Sequence, residues 1–163
     1  MGVSGSGKTT IGKLLAKRIG WPFFDGDDFH PSENIAKMSS GIPLTDEDRA
    51  TWLSILANFI KENLRKDRQT VLACSALKQK YRDQLAIDSN VIFVYLKGNY
   101  ELIMQRMQHR QGHFMKPEML ASQFTILEEP AGVLTLDAAL DPSEIVDQII
   151  IDFWPSGQPG KFE

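Results

Sequence analysis

Gly2-Val3-Ser4-Gly5-Ser6-Gly7-Lys8-Thr9 decides the fold. The spacing is that of a P-loop, a turn whose backbone N–H groups point at phosphate oxygens. Its glycines let the chain curl that tightly. Lys8 supplies charge near the β- and γ-phosphates, and the Thr9 hydroxyl suits a magnesium ion. A helix starting near Lys8 aims its positive dipole end at the same anion. The nucleotide contacts expected from this stretch are Gly2, Val3, Ser4, Gly5, Ser6, Gly7, Lys8, Thr9 and the following Thr10. A P-loop normally follows a buried strand, yet only Met1 stands before it. The reading therefore expects that strand upstream of Met1, or a sheet built without it.

Working outward, apolar Ile11, Leu14, Leu15 and Ile19 share one helical face, and Gly20 sits where a helix ends. Residues 21–25 read as a short strand ending in acidic residues. A helix is expected over Ser32 to Ser39. Thr45 and Asp48 form a capping box for a long helix with a stripe from Trp52 to Leu64. Residues 70–74 read as a strand buried on both faces, with Ser75 capping a helix over 76–85. Residues 91–96 form the clearest strand. Helices follow at 99–110 and 117–127, around a polar Gln111–Lys116 loop. A last strand covers 133–137, and Asp141-Pro142-Ser143-Glu144 starts a final helix. Alternating strands and helices imply an α/β fold, with a parallel sheet covered on both faces. Ligands in such sheets bind beyond the carboxyl ends of the strands, where the P-loop, Asp25–Asp28, Cys74–Lys78 and the loop after Leu96 gather.

The bulk numbers set limits. The 163 residues favour a single domain, and a 42% hydrophobic fraction suits a globular protein. A net charge of −3 argues against a general nucleic-acid binder. No apolar run suggests a membrane span. The one cysteine, Cys74, cannot close an internal disulfide, which fits a reducing, cytoplasmic setting.

Chemistry is assigned as follows. Asp25 belongs to the magnesium shell. Asp27 faces a substrate hydroxyl, which it orients more than it deprotonates early, because phosphoryl transfer has a loose transition state. Arg106 and Arg110 share a helix face; Arg106 is placed flat on an adenine ring and Arg110 over the phosphates. His113 and Lys116 are weaker candidates in the same loop. His30, Arg49, Lys78 and Arg82 form a cationic pocket for a carboxylate-bearing substrate. Against each stands a plain alternative: a solvated acidic turn for Asp25–Asp28, a solvated helix face for each arginine or lysine. His109 and His113 have zinc-ligand spacing, but Gly112 breaks the helix between them. Cys74 reads as a small buried hydrophobe.

The sequence resembles the gluconate kinase (gluconokinase) family. The resemblance is carried by residues 1–8, Asp-Gly-Asp-Asp-Phe-His-Pro at 25–31, Asn34 with Lys37-Met38, residues 41–49, Cys74-Ser75-Ala76-Leu77-Lys78 with Tyr81-Arg82, and residues 95–98. Arg110-Gln111-Gly112-His113-Phe114 and Gln123-Phe124 with Leu127-Glu128-Glu129-Pro130 complete it. It implies the fold of shikimate and nucleoside monophosphate kinases: a three-layer sandwich, a five-stranded parallel sheet of order 2-3-1-4-5, and a mobile lid at 106–128 within one domain, 1–163. It implies transfer of the ATP γ-phosphate to the 6-hydroxyl of D-gluconate, with Mg²⁺. Asp27 then meets the substrate hydroxyl, Arg49 the substrate carboxylate, and Arg106 and Arg110 match adenine-stacking and lid arginines. Dimers are common in the family. Within it the first strand, missing or truncated here, lies at the centre of the sheet. The chain is accordingly expected to be less stable than one extended upstream. Two rivals stay open: a shikimate kinase-like small-molecule kinase, and a nucleotide-binding chain inactive through loss of that strand. A GTP switch is disfavoured, since Asp-x-x-Gly and Asn-Lys-x-Asp sequences are absent.

Overall fold

The computed structural model describes residues 1–109 and 118–155. Helix α1 (Lys8–Ile19) leaves the P-loop at Gly7 and buries Ile11, Leu15, Ala16 and Ile19 before Gly20 closes it. Strand β1 (Phe23–Asp25) runs into a short 3-10 turn, Gly26–Phe29. Helix α2 (Ser32–Ser39) matches its expected span. Helix α3 (Asp46–Arg65) starts at the Thr45/Asp48 capping box and buries Trp52, Leu53 and Leu56. Strand β2 (Val71–Ala73), helix α4 (Gln79–Leu85), strand β3 (Val94–Lys97), helices α5 (Tyr100–His109) and α6 (Glu118–Ile126), strand β4 (Leu134–Asp137) and helix α7 (Pro142–Phe153) follow. A second capping box, Asp141 with Glu144, opens α7.

The strands form two parallel pairs. β1 pairs with β2, Phe24 opposite Leu72, and β3 pairs with β4, Leu96 opposite Leu136. Two apolar clusters cover opposite faces. Leu96 and Leu136 pack with Ile11, Leu15, Ile145 and Ile149 of α1 and α7, joined by Val71 and Val94. Trp52, Leu56, Tyr81 and Leu85 of α3 and α4 pack with Cys74, joined by Leu72 and Phe93. Neighbouring residues of one strand thus serve different faces, as the pleat dictates. The result is the expected three-layer α/β arrangement with its central position open.

Residues 1–3 bridge that opening at one end. The Met1 amine donates to the Val94 carbonyl, Leu96 N–H donates to the Met1 carbonyl at 2.9 Å, and Gly2 N–H donates to Ser75 at 3.2 Å. Beyond Met1 lies a hollow of about 230 Å³, lined in part by Ile11, Leu15, Leu72, Phe93, Val94 and Trp154.

Two expectations need correction. The strand expected over 91–96 is paired only from Val94, and Val91–Phe93 line the hollow instead. The helix expected from Ala76 under a Ser75 cap begins at Gln79. Ala76 takes a left-handed φ of 43°, which no helix tolerates, and the Ser75 carbonyl is engaged by Gly2. Among the described residues, no helix is long and apolar enough to cross a membrane.

Candidate active site

The P-loop crosses the carboxyl ends of the strands, backed by α5. A Cβ on Gly5 would lie 3.0 Å from the Ile103 side chain and 3.1 Å from that of Met107. Ser6 N–H donates to the Val3 carbonyl at 3.2 Å, and Lys8 Nζ donates to the same oxygen at 2.9 Å. The lysine thus lies curled over its own loop. Ser4 N–H donates to Gln123 Oε1 of α6 at 2.7 Å.

Beside the loop, Thr9 Oγ1 donates to Asp25 Oδ2 at 2.8 Å. The two residues assigned to magnesium are therefore neighbours. Their hydroxyl and carboxylate are hard oxygen donors, the type magnesium selects, and a phosphate-bound ion needs only one or two protein carboxylates. No group of three His, Cys, Asp or Glu residues suited to a metal occurs among the described residues. The residues present fit a magnesium ion bound chiefly to phosphate. The other Asp25 oxygen accepts from Asp27 N–H at 3.2 Å, capping the turn that carries Asp27. Trp52 Nε1 donates to the Gly26 carbonyl at 2.7 Å and holds that turn from α3.

Next to Asp27, His30 stacks on Trp52 with ring centroids 4.5 Å apart. Burial, reinforced by the nearby Arg49 cation, lowers its pKa to about 4. His30 was expected in a cationic pocket; it is neutral at pH 7 and offers a hydrogen-bonding ring instead. Arg49 donates to the Leu44 carbonyl and faces the Tyr81 ring at 5.9 Å.

Asp46, the first residue of α3, gathers the far wall. Lys78 reaches both of its oxygens, at 2.8 and 3.0 Å, Lys80 reaches one at 2.6 Å, and the Tyr81 hydroxyl donates to it. These donors, Lys78 foremost, hold the Asp46 carboxyl well below the usual range. Burial, with Asp46 beside it, pushes Tyr81 up to about 12. Arg82 departs from expectation. It is 3% exposed, and its guanidinium donates to the Ala76 and Leu77 carbonyls at 3.0 Å and to Gln79 at 2.8 Å. It shapes the loop carrying Lys78, and its donors are turned to the protein.

Across the P-loop, Arg106 lines a hollow of about 430 Å³ with Gly5, Gly7, Thr10, Leu140 and Pro142. That is a fitting place for a nucleotide base. Arg110, His113 and Lys116 lie outside the described residues, as does the whole polar loop at Gln111–Lys116. His109 turns its Nδ1 to the Gln105 carbonyl at 2.7 Å. Cys74 is buried and its thiol is pushed up to about 12, which suits a small hydrophobe. Asp46, Gln123 and Glu128 were given no role from sequence. All three stood only as letters of the family motifs, without contacts.

Comparison with known proteins follows the same lines. A family model described as shikimate kinase matches residues 4–152. The thermosensitive gluconokinase of Escherichia coli K12 is 46% identical over 153 residues, covering 91% of this chain and 82% of that protein. The unliganded crystal structure of a sugar kinase from Janibacter sp. HTCC2649 superposes with a TM-score of 0.88 at 42% identity, covering 98% and 96% of the two chains. A gluconokinase structure from Sinorhizobium meliloti 1021 gives 0.80 at 44% identity, covering 91% and 85%.

Proposed function

Since the chain belongs to the shikimate kinase family and, among its members, to the gluconokinases, we propose that it phosphorylates D-gluconate at the 6-hydroxyl with ATP, giving 6-phosphogluconate and ADP. The observation that carries the chemistry is the Thr9–Asp25 hydrogen bond. It joins a hydroxyl and a carboxylate, donors of the type magnesium selects, beside the P-loop and the turn of Asp27, which supports the reading.

The P-loop N–H groups, the α1 N-terminus and Lys8 hold the triphosphate. Lys8 leaves the Val3 carbonyl for the phosphates. Thr9, with Asp25 through water, would hold magnesium, which neutralises charge on the transferring group. Arg106 stacks on the adenine, and Arg110 serves the phosphates. Arg49 and Lys78 bind the gluconate carboxylate, with Lys78 exchanging Asp46 for it. The neutral His30 ring hydrogen-bonds a hydroxyl of the polyol. Asp27 accepts the proton of the 6-hydroxyl as its oxygen bonds to Pγ and the β–γ bridging oxygen departs with ADP. Arg82 supports Lys78 from behind. The lid spans about 106–128 of a single domain, 1–163.

The test offers ATP and Mg²⁺ with gluconate or shikimate to the wild type and to Asp27→Asn. Gluconate is expected to be consumed, and the variant to lose about 10²-fold or more in kcat with ADP affinity retained. Turnover of shikimate alone would overturn the substrate. Near-normal turnover by the variant would remove Asp27 from its role.

A further inference from the structure

The carboxyl-terminal part of the lid, an arm from Gln123 to Glu128, touches both halves of the site through polar bonds that the reaction outlined above leaves unused. Gln123 Oε1 accepts the Ser4 N–H of the P-loop at 2.7 Å. Five residues on, Glu128 Oε2 accepts the Gln79 N–H at 2.5 Å, and Glu128 N–H donates to the Leu77 carbonyl at 2.9 Å. Those two contacts bracket Lys78. They also supply what α4 lacks, because Lys78 at its N-cap position makes no side-chain cap of its own. An unsatisfied helix N-terminus looks for an acceptor, and a carboxylate is the favoured one. Here it comes from 49 residues along the chain. Beneath these bonds, Val3 of the P-loop, Leu77, Ile103 and Leu120 form one buried cluster, joined by Phe124 and Leu127 of the arm. Glu129 adds an ion pair to Lys97 at the end of β3, at 2.8 Å.

We infer that Gln123 and Glu128 are positioning residues that act on different substrates: Gln123 fixes the P-loop for the nucleotide, and Glu128 fixes the Lys78 turn for the sugar acid. The assignment to gluconate rests on the function proposed above; the assignment to nucleotide does not. The two bonds end on separate parts of the site. The Gln123 bond ends on the loop that serves the nucleotide. The Glu128 bonds end on the turn whose lysine faces Asp46 and Tyr81. One arm, seated through Phe124 and Leu127 on the cluster of Val3, Leu77, Ile103 and Leu120, holds both, so it ties the two half-sites together while each bond tunes its own.

The experiment measures KM for ATP, KM for gluconate, kcat, the Kd of ADP and the melting temperature in four variants. Gln123→Ala is expected to raise the ATP KM and the ADP Kd about tenfold while moving the gluconate KM less than about twofold. Glu128→Ala is expected to do the reverse. Glu128→Gln keeps an oxygen acceptor for Gln79 N–H and is expected to recover most of the gluconate KM. Gln123→Glu keeps the acceptor for Ser4 and sets a negative charge beside the phosphates, so ADP weakens although the fold is kept. A drop in melting temperature with both KM values moving together, or with neither moving, would show a merely structural arm and overturn the inference. Unchanged ADP affinity in Gln123→Glu would overturn it even where Gln123→Ala fails to fold. A wild type that ignores gluconate sinks the functional reading instead, and the ADP measurements still decide the Gln123 half.

Discussion

The crease between β2 and β3 has two unlike ends. At the carboxyl end, residues 1–3 stitch the two strand pairs together, with Gly2 bonded to Ser75 and Met1 bonded to Leu96. Val3 there is 2% exposed and packs under the P-loop. At the amino end, the same two strands face a hollow of about 230 Å³, and no strand ladder joins them among the described residues. The chemistry needs only the stitched end, because the P-loop is positioned by the residues immediately before it. Stability depends on both ends, because any N–H or C=O group of a strand edge left without a partner beside a hollow costs about 1–3 kcal/mol. Site geometry and sheet integrity are thus separable here, and each can be attacked alone.

The largest effect is expected from filling the open end. A chain carrying about ten extra residues before Met1, with an alternating Val/Ile run, can add a parallel strand to both edges at once. It also replaces a buried amine by a peptide. A gain of about 5 kcal/mol is expected, or roughly 10–20 °C in melting temperature. A control extension of Gly and Ser also replaces the amine, and should recover only that smaller part, about 1 kcal/mol at pH 7. Equal melting temperatures for the apolar and control extensions would show that the hollow is not a strand position.

Next comes damage to the stitched end. Gly2 has φ of 143°, and a Cβ there would sit 2.7 Å from the Leu96 carbonyl oxygen and 3.0 Å from Ser6 Oγ. Gly2→Val must therefore push β3 away or break the bond to Ser75. A loss of about 3 kcal/mol is expected, along with most of the ADP affinity. Gly20→Ala is the comparison. It also has a positive φ, 74°, but nothing lies within 4 Å of its Cβ. Only about 1 kcal/mol is expected there, with ADP binding intact. Thermal melts and ADP calorimetry on the two variants decide it; similar ADP affinities would mean that the stitch does not position the loop.

What could be read from the sequence follows the same division between local and distant causes. The capping boxes at Thr45/Asp48 and Asp141/Glu144, the Ser32–Ser39 helix and the Thr9–Asp25 pairing were legible, because a short stretch of chain or a strand end fixes each. The start of α4 was not. Its cap is Glu128, far along the chain, and the left-handed φ at Ala76 has no marker in an alanine. The charge of His30 was misread because its neutrality depends on stacking against Trp52 and on Arg49, both brought in by α3. Arg82 was placed at the substrate from its helical spacing to Lys78, and spacing cannot tell which way a long side chain turns. The roles of Asp46 and Gln123 arise only from tertiary contact.

The smallest effect is electrostatic, and it returns to the crease. Burial, with Lys8 nearby, lowers the Met1 amine to about 5 from its ordinary 8.0. In the unfolded chain the amine keeps its proton up to pH 8, so between about pH 5 and 8 the unfolded state binds more protons than the folded one. Stability must then rise with pH across that window and fall as pH drops through it, by up to about 1.4 kcal/mol per pH unit from this group. His30, lowered from 6.5 to about 4, adds a slope of the same sign at the acid end. Acetylating the Met1 amine, or extending the chain before it, removes the first contribution and leaves the second. Denaturant melts at pH 7.0 and 8.0 isolate the amine, because that interval lies above the 6.5 at which His30 titrates in the unfolded chain. The free-amine chain should gain about 1 kcal/mol between the two values, while the acetylated chain stays nearly flat. Matching slopes would place the amine in water, and the crease would then be solvated rather than apolar at its open end.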